Sequence, residues 1–229
     1  NRWGLFPAIS GRWNIIDEDF MEPARDWLSM LSIRPGWGQV GAQPSAEYLH
    51  FSKYSPVDVY GDMAATAPNN VRLSDLKWET KTTWNLGTDI GFFDDKLTMD
   101  INVYSQLTED LLMKNVRIPS STGFGSLAWR NVGSMRNQGW ELNIYGNKCV
   151  KVGDFSAGFN VTLGNNVNEI VEMDETVLAS LNSDFNYANG SYLTRVQVAN
   201  AFGSIYGFRY KGVYQYSDYI AGEQENAPV

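Results

Sequence analysis

Between Leu76 and Phe92 the chain alternates with period two. Leu76, Trp78, Thr80, Thr82, Trp84, Leu86, Thr88, Ile90 and Phe92 share one parity, and Lys77, Glu79, Lys81, Thr83, Asn85 and Asp89 share the other. Successive side chains of a strand point to opposite faces, so this pattern predicts a two-faced β-strand and excludes a helix. The alternation resumes after Asp94-Asp95-Lys96, with Leu97, Met99, Ile101, Val103 and Leu107 against Thr98, Asp100, Asn102, Gln106 and Thr108. An antiparallel hairpin over Leu76 to Leu111 with a tight turn at Asp94 to Lys96 follows. Similar segments run through Trp3 to Ile15, Trp140 to Tyr145, Phe155 to Leu163 and Tyr206 to Gln215, the last setting Tyr206, Phe208, Tyr210 and Tyr214 opposite Arg209, Lys211 and Gln215. About seven strands are expected in all.

Several of these segments run about 12 to 17 residues, well beyond the mode of about 5 to 6 for strands of soluble proteins. Their connections alternate in length. Asp94 to Lys96 and Lys148 to Gly153 are tight, whereas Gly41 to Asp75, Lys114 to Ala128 and Asp174 to Leu193 are long. Short turns on one rim and long loops on the other are the pattern of outer-membrane barrels. Pro44, Pro56 and Pro68 in the first long connection remove backbone donors, so that stretch cannot continue a central strand. Alternation alone is more often the mark of a soluble half-buried sheet than of a barrel, and it is strand length and loop asymmetry that bring a barrel wall level with that reading.

Composition narrows the classes further. Aromatic residues make up 14% of the chain, yet mean hydropathy is -0.31, and no window reaches the roughly 18 consecutive apolar residues of a spanning helix. Any membrane crossing must therefore use strands. A net charge of -8 argues against a nucleic-acid partner, because phosphate binding needs basic surface. Cys149 is the single cysteine, so the chain offers no internal disulfide and no paired-cysteine metal or redox motif. No signal peptide opens the sequence at Asn1, and it stops in a polar stretch, Glu223 to Val229, so residues 1–229 read as part of one barrel domain cut at both ends.

Candidate chemistry is sparse. His50 is the sole histidine and lies in a proline-bearing loop, where it can join neither a metal cluster nor a nucleophile relay. Asp17-Glu18-Asp19 and Asp94-Asp95 lack calcium-loop spacing and read as turn residues. Glu79 and Asp89 share a parity, but at roughly 3.3 Å per residue they lie about 33 Å apart, too far for paired acid and base work. Gly123-Phe124-Gly125-Ser126 lacks the Lys-Ser/Thr of a phosphate loop, and the sequons at Asn160 and Asn189 read as chance. No cofactor, metal site or enzymatic activity is expected. Phe124, Trp129, Tyr187 and Tyr192, in the long loops, are the candidate ligand or lid contacts, because aromatic faces stack on sugars; an interfacial girdle is the alternative use of the same residues.

The run Asn131-Val132-Gly133-Ser134-Met135-Arg136-Asn137-Gln138-Gly139-Trp140-Glu141-Leu142 resembles the signature of SusC/RagA-type transporters. Arg2 to Ala8, Arg34 to Gly41, Leu76 to Thr80, Gly87 to Phe93, Tyr206 to Phe208 and Gly212 to Tyr214 resemble that family in the same order. Pro35 departs from it, standing in a strand where the family has a small residue, and puts the local hydrogen bonding there in question. The resemblance implies an all-β, antiparallel transmembrane barrel of about 22 strands in the Gram-negative cell outer membrane, plugged by an N-terminal domain absent from this sequence. It also implies import of an oligosaccharide or peptide substrate, energised by the TonB complex and assisted by a SusD-like lipoprotein lid. Lys77, Glu79, Lys81, Asp89, Asp100 and Asn102 are then expected to face the lumen, with the apolar parity against outer-membrane lipid. The alternative is a self-contained small barrel of about 8 to 10 strands acting as a binding or adhesive surface protein.

Overall fold

The computed structural model describes residues 3–60, 63–183, 193–207, 209–210 and 212–213. Its centre is a seven-stranded antiparallel sheet. β1 (Ala8–Ser10) and β2 (Trp13–Asn14) share one edge of β3 (Leu28–Ala42). Then come β6 (Glu79–Phe92), β7 (Leu97–Glu109), β10 (Gly133–Val152) and β11 (Phe155–Met173). These last five strands have 15, 14, 13, 20 and 19 residues. Each pairs with the next in sequence, so the sheet is an up-and-down meander. Two-stranded hairpins fill the gaps between long strands: β4 (Tyr54–Tyr60) with β5 (Met63–Pro68), and β8 (Leu112–Arg117) with β9 (Ser126–Asn131). A short helix, α1 (Glu175–Leu181), follows β11, and β12 (Leu193–Arg195) pairs with β13 (Ser204–Tyr206).

The predicted hairpin pairs β6 with β7 from Phe92↔Leu97 to Thr80↔Glu109. Phe93, Asp94 and Asp95 hold its turn in the left-handed region, at φ 53, 56 and 59. Two acidic residues suit such a turn because Asp tolerates positive φ better than a bulky side chain does. Several boundaries differ from the sequence reading: β7 ends at Glu109 and not Leu111, and the segments Trp140 to Tyr145 and Phe155 to Leu163 are parts of the longer β10 and β11. β6 starts at Glu79, not Leu76, because the backbone of Lys77 bonds to the side chain of Asn131 instead of a neighbouring strand. The turn expected at Lys148 to Gly153 shrinks to Gly153-Asp154, since β10 continues past an irregularity between Gly146 and Val150. The loop Gly41 to Asp75 contains the β4–β5 hairpin, Lys114 to Ala128 falls within the β8–β9 hairpin, and Asp174 to Leu193 contains α1. Of the segment Tyr206 to Gln215, Phe208, Lys211, Tyr214 and Gln215 lie outside the described residues.

Pro35 sits inside β3 opposite Leu86, and its cost appears on the other edge. Ile9↔Trp37 and Trp13↔Ile33 place Gly11 opposite Pro35. Gly11 donates to the Pro35 carbonyl at 3.0 Å, but Pro35 has no N–H to return. The edge strand breaks there into β1 and β2, which answers the question that Pro35 raised.

All three short connections lie at one rim: residues 15–27, built from two 3-10 turns, residues 93–96, and Gly153-Asp154. Phe93 N–H to the Trp27 carbonyl at 3.0 Å and Asn147 N–H to the Lys96 carbonyl at 2.8 Å tie that rim together. The long connections leave from the opposite rim. The compact hydrophobic core is also at that loop rim, and comprises Val116, Val132, Ile170, Met173, Val177 and Val196. No helix among the described residues is long and apolar enough to cross a membrane.

Candidate functional site

Register assigns the faces of the sheet without ambiguity. One face carries the rows Leu31↔Ile90↔Met99↔Ile144↔Val161, Ile33↔Thr88↔Ile101↔Leu142↔Leu163 and Pro35↔Leu86↔Val103↔Trp140. Leu86 and Val103 are 49% and 51% exposed, and Trp84 is 63% exposed. A sandwich would bury these residues beneath a second sheet; among the described residues none covers them. So large an uncovered apolar surface requires an apolar neighbour.

The other face carries Ser32↔Asp89↔Asp100↔Asn143 and Arg34↔Gly87↔Asn102↔Glu141. An ionic cluster lies across it. The Arg34 guanidinium reaches Asp89 at 2.8 Å and Asp100 at 2.6 Å. Ser32, 1% exposed, donates its hydroxyl to Asp89 at 2.9 Å, and Arg12 stands 3.4 Å from the same carboxylate. Asn102 donates to Asp100 at 2.5 Å. Gly87 makes the bed for this cluster: a Cβ there would fall 2.7 Å from Asn102 Oδ1 and 3.0 Å from an Arg34 nitrogen. Arg34 Nε is buried without a partner among the described residues.

Of the six residues expected on the polar parity, Lys81, Asp89, Asp100 and Asn102 share this face, and the cluster joins Asp89, Asp100 and Asn102. Glu79 begins β6, and its carboxylate accepts the Leu112 N–H at 3.0 Å, which anchors the β8–β9 hairpin. Lys77 precedes the strand, with its ammonium 3.6 Å from Asp110. The central cation, Arg34, was missed as a site residue; its signal was a charged residue on the polar parity of its strand, just before the glycine-rich stretch Gly36 to Gly41.

At the loop rim the signature segment does structural work. Asn131 donates to the carbonyls of Asp110 at 2.7 Å and Lys77 at 3.2 Å and accepts from Lys77 N–H at 2.9 Å, so one side chain joins three loops. Val132 is in the core, and a Cβ on Gly133 would lie 2.0 Å from the Glu172 carbonyl oxygen. Only glycine allows β10 and β11 to close that far. Asp174 caps α1 by accepting from Thr176 and Val177 N–H, and binds Arg130 of β9 at 2.6 Å. The hydrogen bond from the Thr176 hydroxyl, then its backbone bond and Arg130, hold the Asp174 carboxyl below the usual carboxylate range against a smaller cost of burial. Asn182 clasps Val196 through both of its backbone groups, at 2.8 and 2.9 Å. The loops are thus folded into a platform.

Two of the four aromatic candidates are on that platform. Trp129, in β9, lies under the Lys114 ammonium at 4.8 Å and lines a 300 Å³ pocket with Arg72, Leu73 and Arg130. Phe124 is half-buried at the far end of the β8–β9 hairpin. Tyr187 and Tyr192 lie outside the described residues. His50 is exposed and rests on Phe51 at 4.1 Å. No group of three His, Cys, Asp or Glu side chains able to hold a metal occurs among the described residues.

Comparison with known proteins agrees with this architecture. The family described as TonB dependent receptor-like, beta-barrel matches residues 1–228. The chain is 33% identical over 180 residues to the TonB-dependent receptor SusC of Bacteroides thetaiotaomicron, covering 76% of this chain and 18% of that protein. It is 30% identical over 216 residues to the TonB-dependent receptor P39 of Formosa agariphila, covering 94% of this chain and 20% of that protein. A solved structure of the RagAB peptide importer in its open-open state superposes with a TM-score of 0.68 at 26% identity, over 76% of this chain and 19% of that one. The chain spans about a fifth of the length of these relatives. A seven-stranded meander with one apolar face, one polar face and all long loops at one rim is a barrel-wall segment, and the chain belongs to the TonB-dependent receptor-like β-barrel family.

Proposed function

We propose that this chain is part of the wall and outer rim of an outer-membrane importer that takes up an oligosaccharide or peptide with energy from the TonB complex. The observation that carries the reading is the division of the sheet into an apolar face with nothing over it and a polar face with an ionic cluster. In this arrangement the apolar rows meet lipid, and Lys81, Asp89, Asp100 and Asn102 face the lumen. The Arg34 and Asp100 side chains, 37% and 34% exposed, leave the cluster open to a further polar layer on that side, which a plug domain supplies. Lys77 and Glu79 belong to the rim above the wall. The folded loop platform is the surface on which a SusD-like lipoprotein closes, with Trp129 and Phe124 as contacts to the lid or the nutrient; Tyr187 and Tyr192, in the next long connection of the sequence, belong to the same proposed set. No catalytic role is assigned to any residue.

A self-contained small barrel is less favoured, because β1 with β2 at one side and β11 at the other remain open edges of the sheet among the described residues. The test is uptake of labelled oligosaccharides and peptides by cells carrying the full-length protein. Uptake of one class should stop when TonB coupling is abolished or when residues 112–131 are removed. Undiminished uptake in cells lacking TonB would overturn the proposal.

A further inference from the structure

We propose that the apolar face bears a discrete site for one membrane lipid, at the level where the wall turns from apolar to polar. The inference rests on the membrane placement of the preceding section. On β6 the face reads Ile90, Thr88, Leu86, Trp84 and then Thr82 and Thr80; on β7 it passes from Val103 to Ser105, and on β10 from Trp140 to Gln138. The register Leu86↔Val103↔Trp140↔Asn165 puts these changes within one row of each other on neighbouring strands. Leu107 and Val167 continue the apolar parity beyond it on β7 and β11, so the switch is a graded band across neighbouring strands and not a sharp edge. Tryptophan concentrates at such boundaries, and Trp37 and Trp84 pack there with ring centres 6.0 Å apart.

A groove of about 1060 Å³ lies along this band. That is slightly above the roughly 300 to 1,000 Å³ of ordinary ligand sites. Leu86, Val103 and Trp140 line its apolar part, and Ser105, Gln138 and Asn165 its polar part. Among the described residues no charged side chain lines it. An occupant must therefore join hydrocarbon to uncharged hydrogen-bonding groups, which is the chemistry of a lipid where its acyl chains meet its ester and hydroxyl groups. The groove is continuous with the apolar rows already facing hydrocarbon, so the acyl chains extend along them while the ester-level atoms meet the amides of Gln138 and Asn165.

The full-length protein in detergent, titrated in parallel with lipid A, the acyl anchor of the leaflet on the loop-rim side, and with phosphatidylethanolamine, and observed by native mass spectrometry, tests this. The wild type should retain one lipid saturably. Val103→Trp, which fills the groove, should lower that occupancy at least fivefold, and Gln138→Ala about threefold. Ile144→Trp, on the same face but outside the groove, should leave it unchanged. Equal lipid retention by all four proteins, each showing the heat-modifiable migration of a folded barrel, would overturn the lipid site alone. A wild type without that migration would overturn the membrane placement as well.

Discussion

Replacing Ile101 by arginine probes the apolar face of the wall. Ile101 is flanked by Thr88 and Leu142 across the strands. It lies four residues from the turn end of β7 at Leu97 and two from Val103, or roughly 13 Å and 7 Å of strand at 3.3 Å per residue. With a tilt of about 40°, these become depths of roughly 10 Å and 5 Å, inside the apolar band and nearer its loop-rim side. A guanidinium there should cost about 1 to 4 kcal/mol in a bilayer, between the interfacial and the midplane values. Asn102→Arg, one residue along, turns the same group to the other face beside Asp100 and Glu141, where the cost should stay under about 1 kcal/mol. The assay is denaturant-dependent folding of the full-length protein into phosphatidylcholine vesicles, read by gel migration without heating. Equal losses from both substitutions, or a larger loss from Asn102→Arg, would refute the assignment of faces.

Other consequences involve the polar cluster and the loop rim. Gly87→Val should push Arg34 off Asp89 and Asp100 and cost about 1 to 3 kcal/mol in the same folding assay, whereas an unchanged midpoint would show that the cluster adds no stability. Ile170→Ala empties the centre of the rim core, where Ile170 is 0% exposed, and should cost about 2 to 5 kcal/mol, seen as faster protease cleavage in the long loops with the wall still folded. Asp174 has a depressed carboxyl in the folded rim, so its contribution is complete above the unfolded value of about 3.9 and fades as pH falls through the lower folded one. Hydrogen-exchange protection factors across α1, corrected for the intrinsic pH dependence of exchange, should thus be level from neutral pH to about pH 5 and fall below about pH 4; Asp174→Ala should remove that step and cost about 1 kcal/mol.

The wall was legible in the sequence because its two faces meet opposite environments over long stretches. Period two then persists from Glu79 to Leu107, and register follows from one turn at Asp94-Asp95. The rim was not legible, for a physical reason. Val116, Val132, Ile170, Met173, Val177 and Val196 come from five separate segments, so no local period marks them as a core. Asn131 acts through backbone groups 21 and 54 residues away, which leaves no trace near it in the chain. Similarly, Leu76 to Trp78 keep the strand parity yet lie outside β6, because strand partners and not alternation decide where a ladder ends. Pro35 was recognisable as an anomaly, but its remedy, a break in the opposite edge, required the register of β1 and β2.

A spin-label scan of Thr98 to Ser105 tests the central claim most directly, using single cysteines in full-length protein with Cys149 replaced by serine and reconstituted in lipid vesicles. Collision with oxygen, which partitions into hydrocarbon, should peak at positions 99, 101 and 103, and collision with a water-soluble nickel chelate should peak at 98, 100, 102 and 104. Accessibilities without period two, or with hydrocarbon exposure at 100 and 102, would contradict a wall with lipid on one side and a polar lumen on the other.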